Sequence, residues 1–197
     1  MTRRHLHQEP SIERLLAAPR GPERWWPTFV PVRRPDELWF MDLVRFRIGH
    51  RSAHLHLIID CCTREVRAWR AEPHARVSEA VACLEFALID RGIRPGRLTL
   101  GTGHRPQFAA RPFRELLRSR GVNHRRGSYR DPAPRAIVET WVDQLMVRCA
   151  RRHEWADLVD ARLDISAYVD GYHQRPLLDL AYKSPADVSA TWRGAPH

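Results

Sequence analysis

The amino-acid sequence predicts an α/β domain built on a five-stranded mixed sheet, three antiparallel strands followed by two parallel ones, with helices on its flanks. Three observations carry this. Apolar residues alternate with period two in the first of three successive strand segments, which short turns join into a meander. Apolar residues at helical spacing follow the third of these segments and recur later in the chain. A helix separates the fourth strand from the fifth, and such a crossover makes that pair parallel.

The first strand lies in "DELWFMDLVRFRI", where Leu38, Phe40, Asp42 and Val44 share one face. An aspartate therefore stands in line with apolar neighbours. "RSAHLHLIIDCC" is the second strand and "REVRAWR" the third, with turns at Gly49–His50 and Thr63–Arg64. "VSEAVACLEFALIDRG" is a helix, with Ser78 expected as its cap, Val81, Leu84, Phe86 and Leu88 as its apolar stripe and Gly92 as its stop. "GRLTLGT" is the fourth strand, "AARPFRELLRSRG" a helix closed by Gly121, and "VNHRRG" a short fifth strand. "APRAIVETWVDQLMVRCARR" is a long helix in which Ile137, Trp141 and Leu145 step by four, and "WADLVDARLDISAYVDGYHQ" is another.

A length of 197 residues suits one domain with short extensions. Residues 1–35 form a basic, proline-rich N-terminal extension, residues 36–190 the core domain and residues 191–197 a C-terminal tail. Trp25 and Trp26, within the extension, are expected to anchor it on the core. No apolar run approaches the ~20 residues of a membrane span. The N-terminus lacks the apolar segment of a secretory signal, so an intracellular, cytoplasmic and nucleoid-associated location is expected, with no membrane partner. Net charge is +10, and all basic residues but Lys183 are arginine. That balance points to a polyanionic partner, although arginine bias also follows from genomic base composition. Cys61 and Cys62 are adjacent rather than in a C-x-x-C pair, and no histidine pair has a matching second pair at zinc-finger spacing. A structural zinc site is not expected.

Strand and helix order is that of a ribonuclease H-like domain, and four stretches narrow the resemblance further. "ELWFMDLVRF" resembles an opening strand in which a tryptophan precedes a catalytic aspartate by three. "HLHLIIDCCTREVRAWR" resembles the following hairpin, "AIVETW" a helix that bears a catalytic glutamate, and "YHQRP" through "YKSPADV" a C-terminal signature. Together these resemble the catalytic core of insertion-sequence transposases and retroviral-type integrases, the DDE recombinases, from about Arg34 to Val188.

The resemblance implies polynucleotidyl transfer with Mg2+ or Mn2+. Two metal ions roughly 3.5–4 Å apart activate an attacking oxygen and stabilise a leaving one, and hard cations want oxygen ligands. It further implies Asp42 and Glu139 as catalytic, metal-binding carboxylates. A third belongs ahead of the glutamate, with thirty-five residues between the two. Counting back from Glu139 across residues 104–138 lands on Gly103. Where the family motif resembles Ser-Asp-x-Gly-x-Gln-Tyr, this chain has "TGHRPQF". Thr102, Gln107 and Phe108 keep the pattern; the aspartate is Gly103 and the glycine is Arg105. The position is a vacancy in the acidic triad, and a degenerate active site is expected. Loss of a supporting residue around a metal costs about 10–100-fold; loss of a direct ligand is expected to cost ~10³-fold, about 4 kcal/mol on the barrier.

DNA affinity does not need the triad, because phosphate contacts need only cations and amides. The loop "NHRRGSYRDPAPR" supplies Arg125, Arg126, Arg130 and Arg135, expected to contact DNA phosphates. The leading expectation is thus an integrase or transposase core-domain protein, impaired in catalysis but DNA-binding, that forms a homo-oligomer or joins a partner transposase subunit. Two alternatives stand beside it. One is an active metal-dependent strand transferase or nuclease in which His104 or Asp143 is the third ligand. The other is a non-enzymatic protein-interaction module.

Overall fold

The computed structural model describes residues 32–127, 132–150 and 155–193. Five strands form one sheet: β1 Leu38–Ile48, β2 Arg51–Asp60, β3 Val66–Glu72, β4 Thr99–Thr102 and β5 Asn123–Arg126. Their spatial order is β3-β2-β1-β4-β5. β1 runs antiparallel to β2 and β2 to β3, while β1 with β4 and β4 with β5 are parallel. This is the mixed sheet expected from the sequence.

The helices are α1 Val77–Asp90, α2 Pro106–Ala109, α3 Arg111–Ser119, α4 Ala133–Leu145, α5 Leu158–His173 and α6 Pro185–Arg193. A π-helical turn, Met146–Ala150, continues α4, and a 3-10 turn occupies Leu178–Leu180. The last helix runs three residues past the expected core boundary at 190.

Because side chains alternate along a strand, the sheet divides the core into two layers. On one face Phe40, Leu55, Leu57 and Ile59 pack beneath Val138, Trp141 and Leu145 of α4 and Ile165, Tyr168 and Tyr172 of α5. Trp141 meets the Tyr168 ring edge-on at 5.2 Å between centroids. On the other face Trp39, Met41, Leu43 and Ile58 pack against α1, α2 and α3 through Cys83, Leu84, Leu88, Phe108, Phe113 and Leu117.

The register of α1 differs from the sequence expectation. Its buried residues are Ala80, Cys83, Leu84, Ala87 and Leu88, whereas Phe86 is 63 % exposed. Small side chains let the helix lie close on the sheet, and this turns Phe86 outward. Ser78 is not the cap: the helix begins at Val77, and the flanking residue is Arg76 with no side-chain capping bond. The helix expected over "AARPFRELLRSRG" is preceded by the short α2, which starts at Pro106, and the chain kinks into α3 at Ala110, whose backbone is extended.

Asp60 ties the base of the sheet together. Fully buried, it accepts hydrogen bonds from the backbone N–H groups of Asp36 (2.7 Å), Cys62 (2.7 Å) and Thr63 (2.9 Å) and from Trp39 Nε1 (3.2 Å). Arg67 Nη2 completes the set at 3.1 Å, and the Arg67 guanidinium also meets Glu65 and Asp36. A buried carboxylate needs such a complement of donors to remain charged.

Candidate active site

Asp42 sits on β1 one residue past Met41, the last residue that pairs with β4. The short parallel strand ends there, at Thr102, so the next residue of the chain swings over Asp42. That residue is Gly103. A Cβ built on it would lie 3.4 Å from Asp42 Oδ1, an ordinary van der Waals contact, and, its chain neighbours aside, within 4 Å of no other heavy atom among the described residues. The backbone at 103 is not in the left-handed region, so an L side chain is admitted there.

Asp42 Oδ1 accepts the backbone N–H of Leu43 at 2.8 Å. Burial nevertheless raises its pKa above the ordinary carboxylate value, with that hydrogen bond and the charges of Arg105 and Arg135 opposing and Glu139 adding to the rise. Asp42, Arg105, Arg135 and Glu139 are therefore electrostatic neighbours. Glu139 projects from α4, half exposed, and accepts from Arg135 Nε at 2.7 Å one helical turn away. Arg135 belongs to the first turns of α4 rather than to the loop before it. Arg105 replaces the glycine of the resembled motif; its charge at Asp42 was not anticipated from the sequence, and the substitution itself was the only signal.

The other carboxylates and histidines near the triad position lie elsewhere. Asp60 is fully engaged by its five donors where the β1–β2 pairing begins, opposite Trp39 and three residues from Leu57, the partner of Asp42. His104 lies against Gly127, whose Cβ would overlap the imidazole; Gly127 has φ +78°, and its N–H donates to Thr102 O at 2.8 Å. Residues 103 and 104 thus face different ways, the first toward Asp42 and the second toward the end of β5. Asp143 is exposed on α4, one turn beyond Glu139. Thr102 Oγ1 and His124 Nε2 share a hydrogen bond of 2.9 Å beneath the site, and burial lowers the His124 pKa.

Among the described residues no group of three or more His, Cys, Asp or Glu side chains is placed to hold a metal ion. Among the described residues Asp42 and Glu139, the second already paired with Arg135, do not fit the donor set that a pair of magnesium ions requires. Of the arginines expected to meet DNA, Arg125 and Arg126 lie on β5, the first half-buried and the second exposed, with Arg126 Nη2 donating to His104 O at 3.3 Å. Arg130 lies outside the described residues. Trp25 and Trp26 do as well. No helix among the described residues is long and apolar enough to cross a membrane.

Known proteins resemble this chain in both sequence and fold. A transposase for insertion sequence element IS629 of Shigella sonnei is 24% identical over 160 residues, which cover 81% of this chain and 53% of that protein. The chain spans about half the length of the curated relatives it matches. The simian T-cell lymphotropic virus intasome, in complex with the PP2A regulatory subunit B56 gamma, contains a chain that superposes with a TM-score of 0.69 at 18% identity, covering 89% of this chain and 63% of that one. The HTLV-2 integrase catalytic core domain in complex with magnesium gives a TM-score of 0.57 at 16% identity, covering 78% of this chain and 96% of that one. These structural likenesses establish the ribonuclease H-like fold of integrase catalytic cores. The sequence model of the integrase core domain, rve, matches residues 32–132, just over half of the chain, and the protein belongs to that family.

Proposed function

We propose that this protein is an integrase or transposase core that engages DNA during integration or transposition while its own metal-dependent strand transfer is weak. The observation that carries the reading is the glycine whose missing side chain would meet Asp42. Asp42 and Glu139 are the remaining carboxylates of the site, and Gly103 is the vacant corner. With Glu139 held by Arg135, Mg2+ or Mn2+ binds weakly. Arg125, Arg126, Arg130 and Arg135 contact DNA phosphates. The relatives act as transposases or stand in an intasome, and the HTLV-2 core is described in dimeric and trimeric forms; by extension this chain works on DNA inside the cell as a homo-oligomer or beside a partner transposase subunit.

A nicking and strand-transfer assay with Mg2+ or Mn2+ tests it. Little turnover is expected from the unmodified protein, and Gly103→Asp raises it. Robust turnover by the unmodified chain, abolished in Asp42→Ala, would refute the impairment. One observation favours a second reading, an active enzyme with a substitute ligand: Asp143 is exposed one turn beyond Glu139. In that case calorimetry shows two-site metal binding that Asp143→Ala destroys.

A further inference from the structure

The β1–β2 hairpin outruns the rest of the sheet. β4 accompanies β1 only over Leu38–Met41, and β3 accompanies β2 only as far as His54, which pairs with Glu72. Beyond those points Phe46–Ile48 and Arg51–Ala53 continue as a two-stranded arm. An isolated two-stranded ribbon is marginal in water, and this one is tied down on a single face, where the Phe46 ring meets Trp155 edge-on at 5.3 Å between centroids. Period two puts Arg45 and Arg47 on the opposite face, with His54 and Ser52 as their cross-strand partners.

Charge on this arm is of one sign. From residue 43 through residue 59 the chain has three Arg and three His and no Asp or Glu. Arg45, Arg47, His50 and Arg51 are all exposed. Neither Arg47 nor Arg51 has a carboxylate partner among the described residues, while Arg45 is held in place by Ser52 Oγ, to which its Nε and Nη2 donate at 2.9 and 2.7 Å. These side chains line an open concavity of about 430 Å³.

We propose that the arm is a second DNA-contact surface, one that takes backbone phosphates of a duplex. The proposal rests on the reading that this chain binds DNA and adds a site which that reading does not contain. Arg47 lies five residues along β1 from Asp42 and on the other face of the sheet, about 17 Å away by strand rise. The arm therefore holds DNA that flanks the triad position. Guanidinium forks suit phosphate oxygens. Arg45 and Arg47 stand about 7 Å apart, two residues of strand, which lets the two guanidiniums meet separate phosphates of one DNA strand. A protein partner would instead call for an aromatic or aliphatic anchor at the centre of the patch, and the large exposed apolar side chains, Phe86 and Leu163 among them, lie off the arm.

The test is fluorescence anisotropy of a labelled random-sequence duplex with the full chain, over about 50 to 200 mM salt. Arg45→Gln/Arg47→Gln/Arg51→Gln is compared with Arg125→Gln/Arg126→Gln and with the single charge reversal Arg47→Glu. The arm triple variant is expected to weaken binding at least tenfold at low salt and to reduce the slope of log K against log salt by about 2–3, since each neutralised phosphate contributes ~0.9. Arg47→Glu, at an exposed position, weakens binding with unchanged circular dichroism, so the outcome does not depend on how the triple variant folds. If arm variants keep the wild-type slope and Kd while Arg125→Gln/Arg126→Gln loses affinity, the arm proposal falls and the DNA-binding reading stands. If the unmodified chain binds no duplex at low salt, both fall.

Discussion

A side chain at position 103 would begin 3.4 Å from Asp42 Oδ1. Gly103→Asp is thus expected to place a carboxylate beside Asp42 without backbone strain. Two like charges so close repel, and in metal-free buffer the variant melts below the wild type. Added Mn2+ reverses the order: it raises the melting temperature of the variant and leaves the wild type nearly unchanged. Differential scanning fluorimetry reads the two shifts, and strand transfer rises about tenfold or more in the variant. Equal Mn2+ responses in the two proteins would show that position 103 is not a ligand corner.

Burial raises the pKa of Asp42. A carboxyl whose folded pKa lies above its unfolded one supports folding most when protonated, and that support is lost as pH rises through the folded pKa. Asp42→Asn removes the cost and keeps an oxygen to accept from Leu43 N–H. It is expected to melt higher than the wild type at pH 7, with a gap that closes as pH falls toward the unfolded carboxylate value of about 3.9. Melting curves across that range decide the matter.

His56 is fully buried on β2, and neither ring nitrogen has a hydrogen-bond partner among the described residues. Burial, with the charges of His54 and Arg70 adding to it, pushes its pKa down to about 4. The unfolded chain takes up a proton near pH 6.5 and the folded one only near 4, so stability is present above 6.5 and drains away between those values. The full loss is on the order of 3 kcal/mol. His56→Leu is expected to flatten the stability profile over that window and to leave strand transfer untouched.

Asp60 holds a buried arginine as well as three backbone donors. Asp60→Ala is expected to cost about 3–5 kcal/mol in urea unfolding, the penalty of stranding a buried charge and its donors. The exposed pair Arg135–Glu139 behaves otherwise. Arg135→Gln is expected to change stability by less than about 0.5 kcal/mol and to show its effect in DNA affinity.

Much of this was legible in the chain. Period two over "LWFMDLV" fixed β1 and put Asp42 in line with Phe40, and the glycine at 49 marked the hairpin that the structure closes with φ +51°. The family pattern singled out Gly103 because spacing along the chain is a local property. Phe86 was misplaced because apolarity alone does not reveal that α1 meets the sheet through Ala80, Cys83 and Ala87 beside its two leucines. The pairing of Arg135 with Glu139 is an i, i+4 spacing that the sequence carries on one helix, whereas the place of Arg105 beside Asp42 escaped for a related reason. Electrostatic partners are set by how β4, β1 and α4 come together, and nothing in a one-dimensional pattern reports that meeting.

The two-layer core has a consequence for how the protein can be cut. The stretch that carries the family match stops at residue 132, before α4 and α5 begin. A fragment ending there would keep all five strands yet leave Phe40, Leu55, Leu57 and Ile59 as an oily slab against water. Such a piece would clump rather than dissolve. The smallest autonomous unit runs at least to Tyr172, so the helices beyond the recognisable segment are as much a part of the domain as the strands within it.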